Sequence, residues 1–125
     1  MTNNGRNLVT GGRGEFEAVR FLENLGYKIV CKNFRSGRGE IDIIAREHDT
    51  LVFVEVKSSN GLEFGNPEDR VSTKKQRQIA RIAERYIESY NPDAEDYRFD
   101  VVAVVFQKSS VSIKHFKDAF WAQRY

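Results

Sequence analysis

Residues 40–57 carry the feature that most constrains the fold: two runs rich in β-branched and aromatic residues, separated by a short polar break at 47–50. Such runs favour strands, and the short break predicts that they form a β-hairpin. Antiparallel partners have a constant sum of residue numbers, so a loop centred on the break places Asp42 directly opposite Glu55. Two carboxylates in that arrangement have Cβ atoms roughly 4.5–5.5 Å apart and repel each other. The hairpin therefore needs a compensating positive charge.

Side chains alternate along a strand, so Glu55 and Lys57 share one face of the predicted hairpin with Asp42 and Glu40. On this face Lys57 lies opposite Glu40, and the surface changes from apolar near Phe53 to charged at the rim of the core. Lys57 and a divalent cation are the two candidates for compensating the carboxylates. The alternative is a solvated ion pair at a strand end, worth roughly 0–1 kcal/mol. The opposite face is predicted to carry Val52, Val54, Val56, Ile41, Ile43 and Ala45.

Composition excludes several classes of protein. The 125 residues suit one domain, which would bury roughly two-thirds of its unfolded surface. The net charge is only +2, so an argument for nucleic-acid binding depends on where the charges lie. A lone Cys31 excludes an internal disulfide, and His48 and His115 provide no Cys/His set for zinc.

The longest continuous apolar run, 101–106, is far shorter than the roughly 20 residues that a membrane helix needs. The N-terminus also lacks the apolar core of a signal peptide. We therefore expect a cytoplasmic protein with no membrane partner.

Hydrophobic periodicity and turn residues predict the remaining elements. Residues 1–12 are polar and glycine-bearing, which predicts a flexible N-terminal arm before a single domain over 13–125. Thr73 and Gln76 fit a capping box at the start of the second helix. The predicted elements are helices over 13–25 and from 73 to the stop at Asn91-Pro92, and strands over 27–34, 40–46, 51–57, 98–106 and 111–116. This order, α-β-β-β-α-β-β, predicts an α/β fold with a mixed sheet flanked by helices.

Basic side chains provide candidate nucleic-acid contacts in the N-terminal arm, in the loop that precedes Asp42, and in the first half of the second helix. At the helix start the dipole also favours phosphate. The alternative is an ordinary solvated turn and a solvated helix face. The candidates are Arg13, Arg35, Arg38, Lys74, Lys75, Arg77 and Arg81.

Asp42, twelve intervening residues and Glu55-Val56-Lys57 resemble the PD-(D/E)XK motif of restriction-endonuclease-like nucleases and archaeal-type Holliday junction resolvases. Ile41 stands where the wider motif often has proline. More of the chain, from about Gly11 to Phe120, resembles the YraN-like family of small bacterial proteins, which is placed in that superfamily. The segments that carry this second resemblance are Gly39-Glu40-Ile41-Asp42, Phe53-Val54-Glu55-Val56-Lys57, Arg98-Phe99-Asp100-Val101 and Ala119-Phe120.

The resemblance implies a restriction-endonuclease-like core and a divalent-metal-dependent endonuclease that acts on structured or branched DNA. Asp42 and Glu55 would hold Mg²⁺ or Mn²⁺, with Glu15 assisting, since oxygen ligands suit these ions. Lys57 would position or help activate the attacking water. Glu40 and Gln76 would support the site, and analogy with resolvases implies a homodimer.

Other interpretations remain open. Glu15 lies in the first turn of the predicted first helix, where an acidic residue is favourable for the helix alone. The chain could also be a nucleic-acid-binding module without catalytic activity. A third interpretation is a protein-interaction domain that uses the aromatic C-terminal tail, residues 118–125.

Overall fold

The structure, a computed structural model, describes residues 3–60 and 71–120, with side chains described from residue 12 onward. The elements are α1 (Asn3–Asn24), β1 (Lys28–Ser36), β2 (Gly39–Glu47), β3 (Thr50–Ser59), α2 (Thr73–Tyr90), β4 (Asp96–Phe106) and β5 (Val111–Phe116). This order confirms the predicted α-β-β-β-α-β-β arrangement of an α/β fold. Predictions that concern residues 121–125 lie outside the described residues. No described helix is long and apolar enough to cross a bilayer.

The five strands form one mixed sheet in the order β1-β2-β3-β4-β5. Strand β4 pairs in parallel with β3, whereas the other neighbours pair antiparallel. Two adjacent parallel strands need a long crossover connection. Here the connection contains α2, which accounts for the helix between β3 and β4.

The sheet has a hydrophobic core on each face. Ala18 and Leu22 of α1 pack in one core with the even-numbered valines of β3 and β4. Ile79 and Ile82 of α2 pack in the other, with Phe53 and further apolar side chains. Strands β3 and β4 are therefore covered on both sides, as their near-continuous apolar sequences indicate. Phe120, from the predicted aromatic tail, is buried in the α2 core.

Helix α1 begins at Asn3, ten residues before the predicted start at Arg13. The prediction treated residues 1–12 as an arm because of their glycines and polar residues. Once the packed half of α1 is formed, adding further turns costs far less than nucleating a helix. The described part of that arm is therefore helical.

The start of α2 also differs from the prediction. Ser72, rather than Thr73, is the N-cap: its backbone is extended, and its side chain accepts a hydrogen bond from the Lys75 N–H at 3.1 Å. Gln76 is consequently not the partner in a capping box, and its side-chain amide donates to the Val71 carbonyl at 2.9 Å. At the other end, Asn91 caps the helix in the left-handed conformation, with φ of 45°, which confirms the predicted stop.

The β2–β3 hairpin has the predicted register near its turn but not at its open end. Ile44 faces Phe53, as a loop centred on the polar break requires, but the last pair of the ladder is Ile43 with Val54. Asp42 and Glu55 are therefore not ladder partners, and the prediction that they face each other directly was wrong.

A change of phase in β1 and β2 occurs at the same level as the end of the ladder. Asn33 has a positive φ of 54° and lies between the pairs that β1 forms with Ile43 and Ile41 of β2. A left-handed backbone conformation of this kind disturbs the alternation of side chains along a strand. Asparagine adopts this conformation more readily than most residues. As a result Ile41 packs in the α2 core with Ile44, not on the α1 side where strict alternation places it.

Asp100 of β4 is fully buried on the α1 side, and both oxygens of its carboxylate have hydrogen-bond partners. Its carboxylate accepts two hydrogen bonds from Arg98, at 2.9 and 3.0 Å, and one from the Asp118 N–H at 2.9 Å. His115 Nε2 is also hydrogen-bonded to it at 2.8 Å. Burial alone would raise the pKa of Asp100, but these partners hold it below its ordinary value. Asp100 is thus a structural anchor between β4 and the segment after β5.

Replacing Asp100 with alanine is expected to lower the free energy of unfolding by roughly 3–5 kcal/mol, because Arg98 loses its bidentate partner in a largely buried setting. Urea denaturation at neutral pH measures the change. The matched control is Asp96→Ala, an exposed carboxylate on the same strand, for which a change within roughly 0.5 kcal/mol is expected. Equal unfolding midpoints for the two variants would contradict the anchoring role.

Candidate functional site

Asp42 lies where the β2–β3 ladder ends. Its Oδ2 accepts a hydrogen bond from the Val56 N–H at 2.8 Å, although the pair that would follow in the ladder does not form. The side chain therefore takes the place of a backbone acceptor. This bond holds a half-buried carboxylate against β3 at the point where the two strands stop pairing.

Two further acidic side chains converge on Asp42. Glu15 of α1 and Glu40 of β2 each place a carboxylate oxygen in one group with Asp42, all three atoms lying within 4.8 Å of one another. All three side chains are half-buried. The prediction gave Glu15 a site role and Glu40 a supporting one, and the structure brings both to Asp42.

A glycine precedes each of these two glutamates and permits close packing. A Cβ on Gly14 would overlap Ser58 Oγ of β3. A Cβ on Gly39 would lie 2.6 Å from Ile82 Cδ1 and 2.8 Å from Gln78 Nε2, both of α2. The sequence Gly-Arg-Gly-Glu occurs twice, at 12–15 and at 37–40. In both places the backbone must approach its neighbours closely. This repeat is a sequence signal that relates Glu40 to Glu15.

Glu55 is buried, with 7% of its side chain exposed, and is contacted by two lysines. Lys57 Nζ lies 3.6 Å from Glu55 Oε2. Lys75 Nζ, from the first turn of α2, lies 3.8 Å from the same oxygen. Lys57, one of the two candidates for the compensating charge, thus lies beside Glu55, and Lys75, predicted only as a nucleic-acid contact, lies beside it as well.

The electrostatics of the acidic side chains follow from this arrangement. Burial, then the negative charge of Glu55, raise the pKa of Asp42 to about 7, and the charges of Glu15 and Glu40 add to the effect. The hydrogen bond from Val56 opposes the shift without cancelling it. Burial likewise raises the pKa of Glu55, against the opposing charges of Lys75 and Lys57. The site therefore favours any ligand that brings positive charge to the carboxylates.

The remaining predicted residues lie around this centre in different settings. Arg35 pairs with Glu40 at 3.3 Å and is otherwise largely exposed. The Arg13 guanidinium lies over the Phe106 ring, 4.5 Å from its centroid. Gln76 is occupied by the Val71 carbonyl. The side chains that are exposed to solvent are Arg38, Lys74, Arg77 and Arg81.

Groups from both faces of the sheet meet at this site. Glu15 comes from α1 and Lys75 from α2, and these helices cover opposite faces. They reach neighbouring carboxylates because the ladder between β2 and β3 ends at Ile43 and Val54. Chemically, the group combines oxygen ligands suited to a hard divalent cation with ammonium groups suited to an anion such as phosphate.

Comparison with known proteins gives a consistent result. The family described as "Uncharacterised protein family UPF0102" matches residues 14–104, which include every acidic residue of the site. A UPF0102 protein of Syntrophus aciditrophicus is 45% identical over 92% of this chain and 91% of its own length. A UPF0102 protein of Caldicellulosiruptor saccharolyticus is 43% identical over 88% of this chain and 95% of its own length. A UPF0102 protein of Rhodococcus jostii is 43% identical over 91% of this chain and 98% of its own length.

The match covers well over half of the chain, and the relatives align along nearly their whole length. The resemblance to YraN-like proteins is thereby confirmed at the level of the family. The chain belongs to the UPF0102, or YraN-like, family.

Proposed function

We propose that this protein is a divalent-metal-dependent endonuclease of the PD-(D/E)XK type that hydrolyses phosphodiesters in structured or branched DNA. The observation that carries the proposal is the hydrogen bond that Asp42 accepts from the Val56 N–H, between Glu55 and its partner Lys57, at the end of the β2–β3 ladder. The placement of Glu15 beside Asp42 supports it, since a helix residue joins the two strand carboxylates. The fold supports the same superfamily, because the site lies on adjacent strands of a mixed sheet flanked by helices.

The side chains fit a hard cation. Glu15, Glu40 and Asp42 offer oxygen atoms within 4.8 Å of one another, and oxygen ligands suit Mg²⁺ or Mn²⁺. Glu55, whose charge acts on Asp42, would add a fourth carboxylate to the set. Such an ion, when bound, supplies Lewis acidity to the phosphodiester and lowers the pKa of a water molecule.

The protein's own side chains then have defined tasks. In hydrolysis the water oxygen bonds to phosphorus and one bridging P–O bond breaks. One water proton passes to the departing alkoxide and the other to solvent. Lys57, held by Glu55 at 3.6 Å, would orient the water and stabilise negative charge that develops on the phosphoryl oxygens.

DNA would be bound along the exposed basic residues near the start of α2. Lys74, Arg77 and Arg81 are exposed on that helix, and the helix dipole there favours phosphate. Such contacts read the shape and backbone of the DNA and not its base sequence. By analogy with junction resolvases, a homodimer would present two sites to two symmetric strands.

One observation favours a second function, a nucleic-acid-binding module without catalysis. Glu55 is engaged by two lysines and lies outside the group of three carboxylates that share the 4.8 Å limit. Charge compensation by lysines alone could therefore suffice for the fold. The two functions differ in whether the carboxylates bind a metal ion.

Replacing Asp42 with asparagine is expected to abolish binding of Mg²⁺ and Mn²⁺ and any cleavage that depends on them, because it removes the central charged ligand. Calorimetric titration, with gel assays on labelled junction, flap and single-stranded DNA, tests this. Asp49→Asn, an exposed residue of the hairpin turn, is the control and should behave as wild type. If wild type binds neither ion at millimolar concentration with DNA present, the nuclease proposal fails and the binding module is favoured.

Asp42 should also make the metal-free fold less stable as pH rises. Its pKa is raised in the folded protein to about 7 from an ordinary 3.8. Its stabilising contribution is therefore complete below about pH 4 and is lost as pH rises through about 7. Between pH 4 and 8 we expect wild type to lose on the order of 4 kcal/mol relative to Asp42→Asn. Urea denaturation in EDTA measures this difference, and parallel pH profiles for the two proteins would contradict it.

Reversing charge at Lys74 and Arg77 together is expected to weaken DNA binding and to flatten its salt dependence, because two phosphate contacts are lost and replaced by repulsion. The logarithmic slope against salt should fall by about 0.9 per lost contact on duplex DNA. Fluorescence anisotropy at several salt concentrations gives both quantities. Lys28→Glu, exposed on β1 beside Arg46 and away from Asp42, is the control. An unchanged slope in the double variant would exclude this helix as the contact surface.

A further inference from the structure

Lys75 lies beside Glu55. A lysine that only contacted the DNA backbone from the protein surface would not need to lie there. Its Nζ lies 3.8 Å from Glu55 Oε2, nearly as close as Lys57 Nζ at 3.6 Å. Its side chain is 37% exposed, similar to the 33% of Lys57. The two ammonium groups therefore converge on one oxygen, and each keeps a side open to solvent.

The backbone of Lys75 is fixed by the cap of α2. Its N–H donates to Ser72 Oγ at 3.1 Å, which sets the first turn of the helix and the direction of the side chain. Lys74, one residue earlier, is exposed and forms no ion pair with any residue that the structure describes. Two adjacent lysines are thus distinguished by geometry: one is aimed into the site and the other faces solvent.

The two site lysines reach Glu55 from different directions. Lys57 lies on the same strand as Glu55, two residues further on, and Lys75 comes from the helix that covers this face. Glu55 carries one negative charge against two ammonium groups, so it does not neutralise both lysines by itself. Each ammonium has three donors, which leaves donors available for an anion placed between them.

We propose that Lys75 is a second substrate-binding lysine of this site, whose ammonium binds a non-bridging oxygen of the phosphodiester that is cleaved. The inference rests on the proposed function for its kinetic consequence. Lys75 transfers no proton: it remains an ammonium group while the water adds to phosphorus and the bridging P–O bond breaks. Its contribution is electrostatic, since charge builds up on the oxygen that it contacts.

Three variants test this inference: Lys75→Ala, Lys75→Arg and the control Lys28→Ala. With a DNA substrate that wild type cleaves, Lys75→Ala should lower kcat by about 10²-fold, the usual cost of removing one donor to a developing oxyanion. Lys75→Arg should recover most of the rate, because it retains the charge. Lys28→Ala should leave kcat unchanged. Thermal unfolding of each variant shows whether the fold is intact.

Binding provides a readout that is independent of turnover. In Ca²⁺, with the absence of cleavage checked on gels, the logarithmic salt slope of duplex DNA affinity should fall by about 0.9 for Lys75→Ala. Lys28→Ala, on β1 beside Arg46 and away from Asp42, should leave the slope unchanged.

The outcomes separate the two proposals. If wild type cleaves DNA and Lys75→Ala keeps its kcat, the role of Lys75 is overturned while the nuclease proposal stands. If wild type cleaves no substrate with either Mg²⁺ or Mn²⁺, the nuclease proposal fails and affinity alone decides the role of Lys75. In that case weaker binding by Lys75→Ala than by Lys28→Ala supports the phosphate contact, and equal binding overturns it.

Discussion

The hydrogen bond from the Val56 N–H to Asp42 Oδ2, at 2.8 Å, is the interaction on which the site depends. It satisfies a backbone donor of β3 at the place where β2 no longer offers a ladder partner. Leaving a buried N–H unpaired costs about as much free energy as losing a hydrogen bond. The Asp42 side chain removes that cost where the ladder ends. The same bond fixes the carboxylate around which Glu15 and Glu40 gather.

The sheet holds two carboxylates in opposite electrostatic states. Asp100 receives hydrogen bonds from Arg98, His115 and a backbone N–H, and its pKa is lowered. Asp42 receives one backbone N–H and otherwise faces like charges, and its pKa is raised. The first arrangement stabilises the fold by itself. The second leaves a requirement for positive charge, which is typical of a site and unusual in a purely structural contact.

Much of this could be predicted from the sequence, and the errors have local causes. The strands, the helices and the proximity of Asp42, Glu55 and Lys57 follow from alternation and from the hairpin break. The end of the ladder was not predicted, because the pattern of β2 and β3 alone does not contain the positive φ of Asn33 on the neighbouring strand, which lies at the same level. The convergence of Lys75 on Glu55 could not be predicted, because it depends on how α2 packs against the sheet beside Glu55.

The end of the β2–β3 ladder also explains why residues from two helices on opposite faces can act on one centre. In a continuous sheet, a side chain on one face is separated from the other face by the backbone itself. Here Glu15 arrives from the α1 side and Lys75 from the α2 side, and the carboxylates between them are Asp42 and Glu55. Gly14 lets α1 approach Ser58 of β3 without a clash. Acidic and basic groups are thereby brought together without either crossing the core.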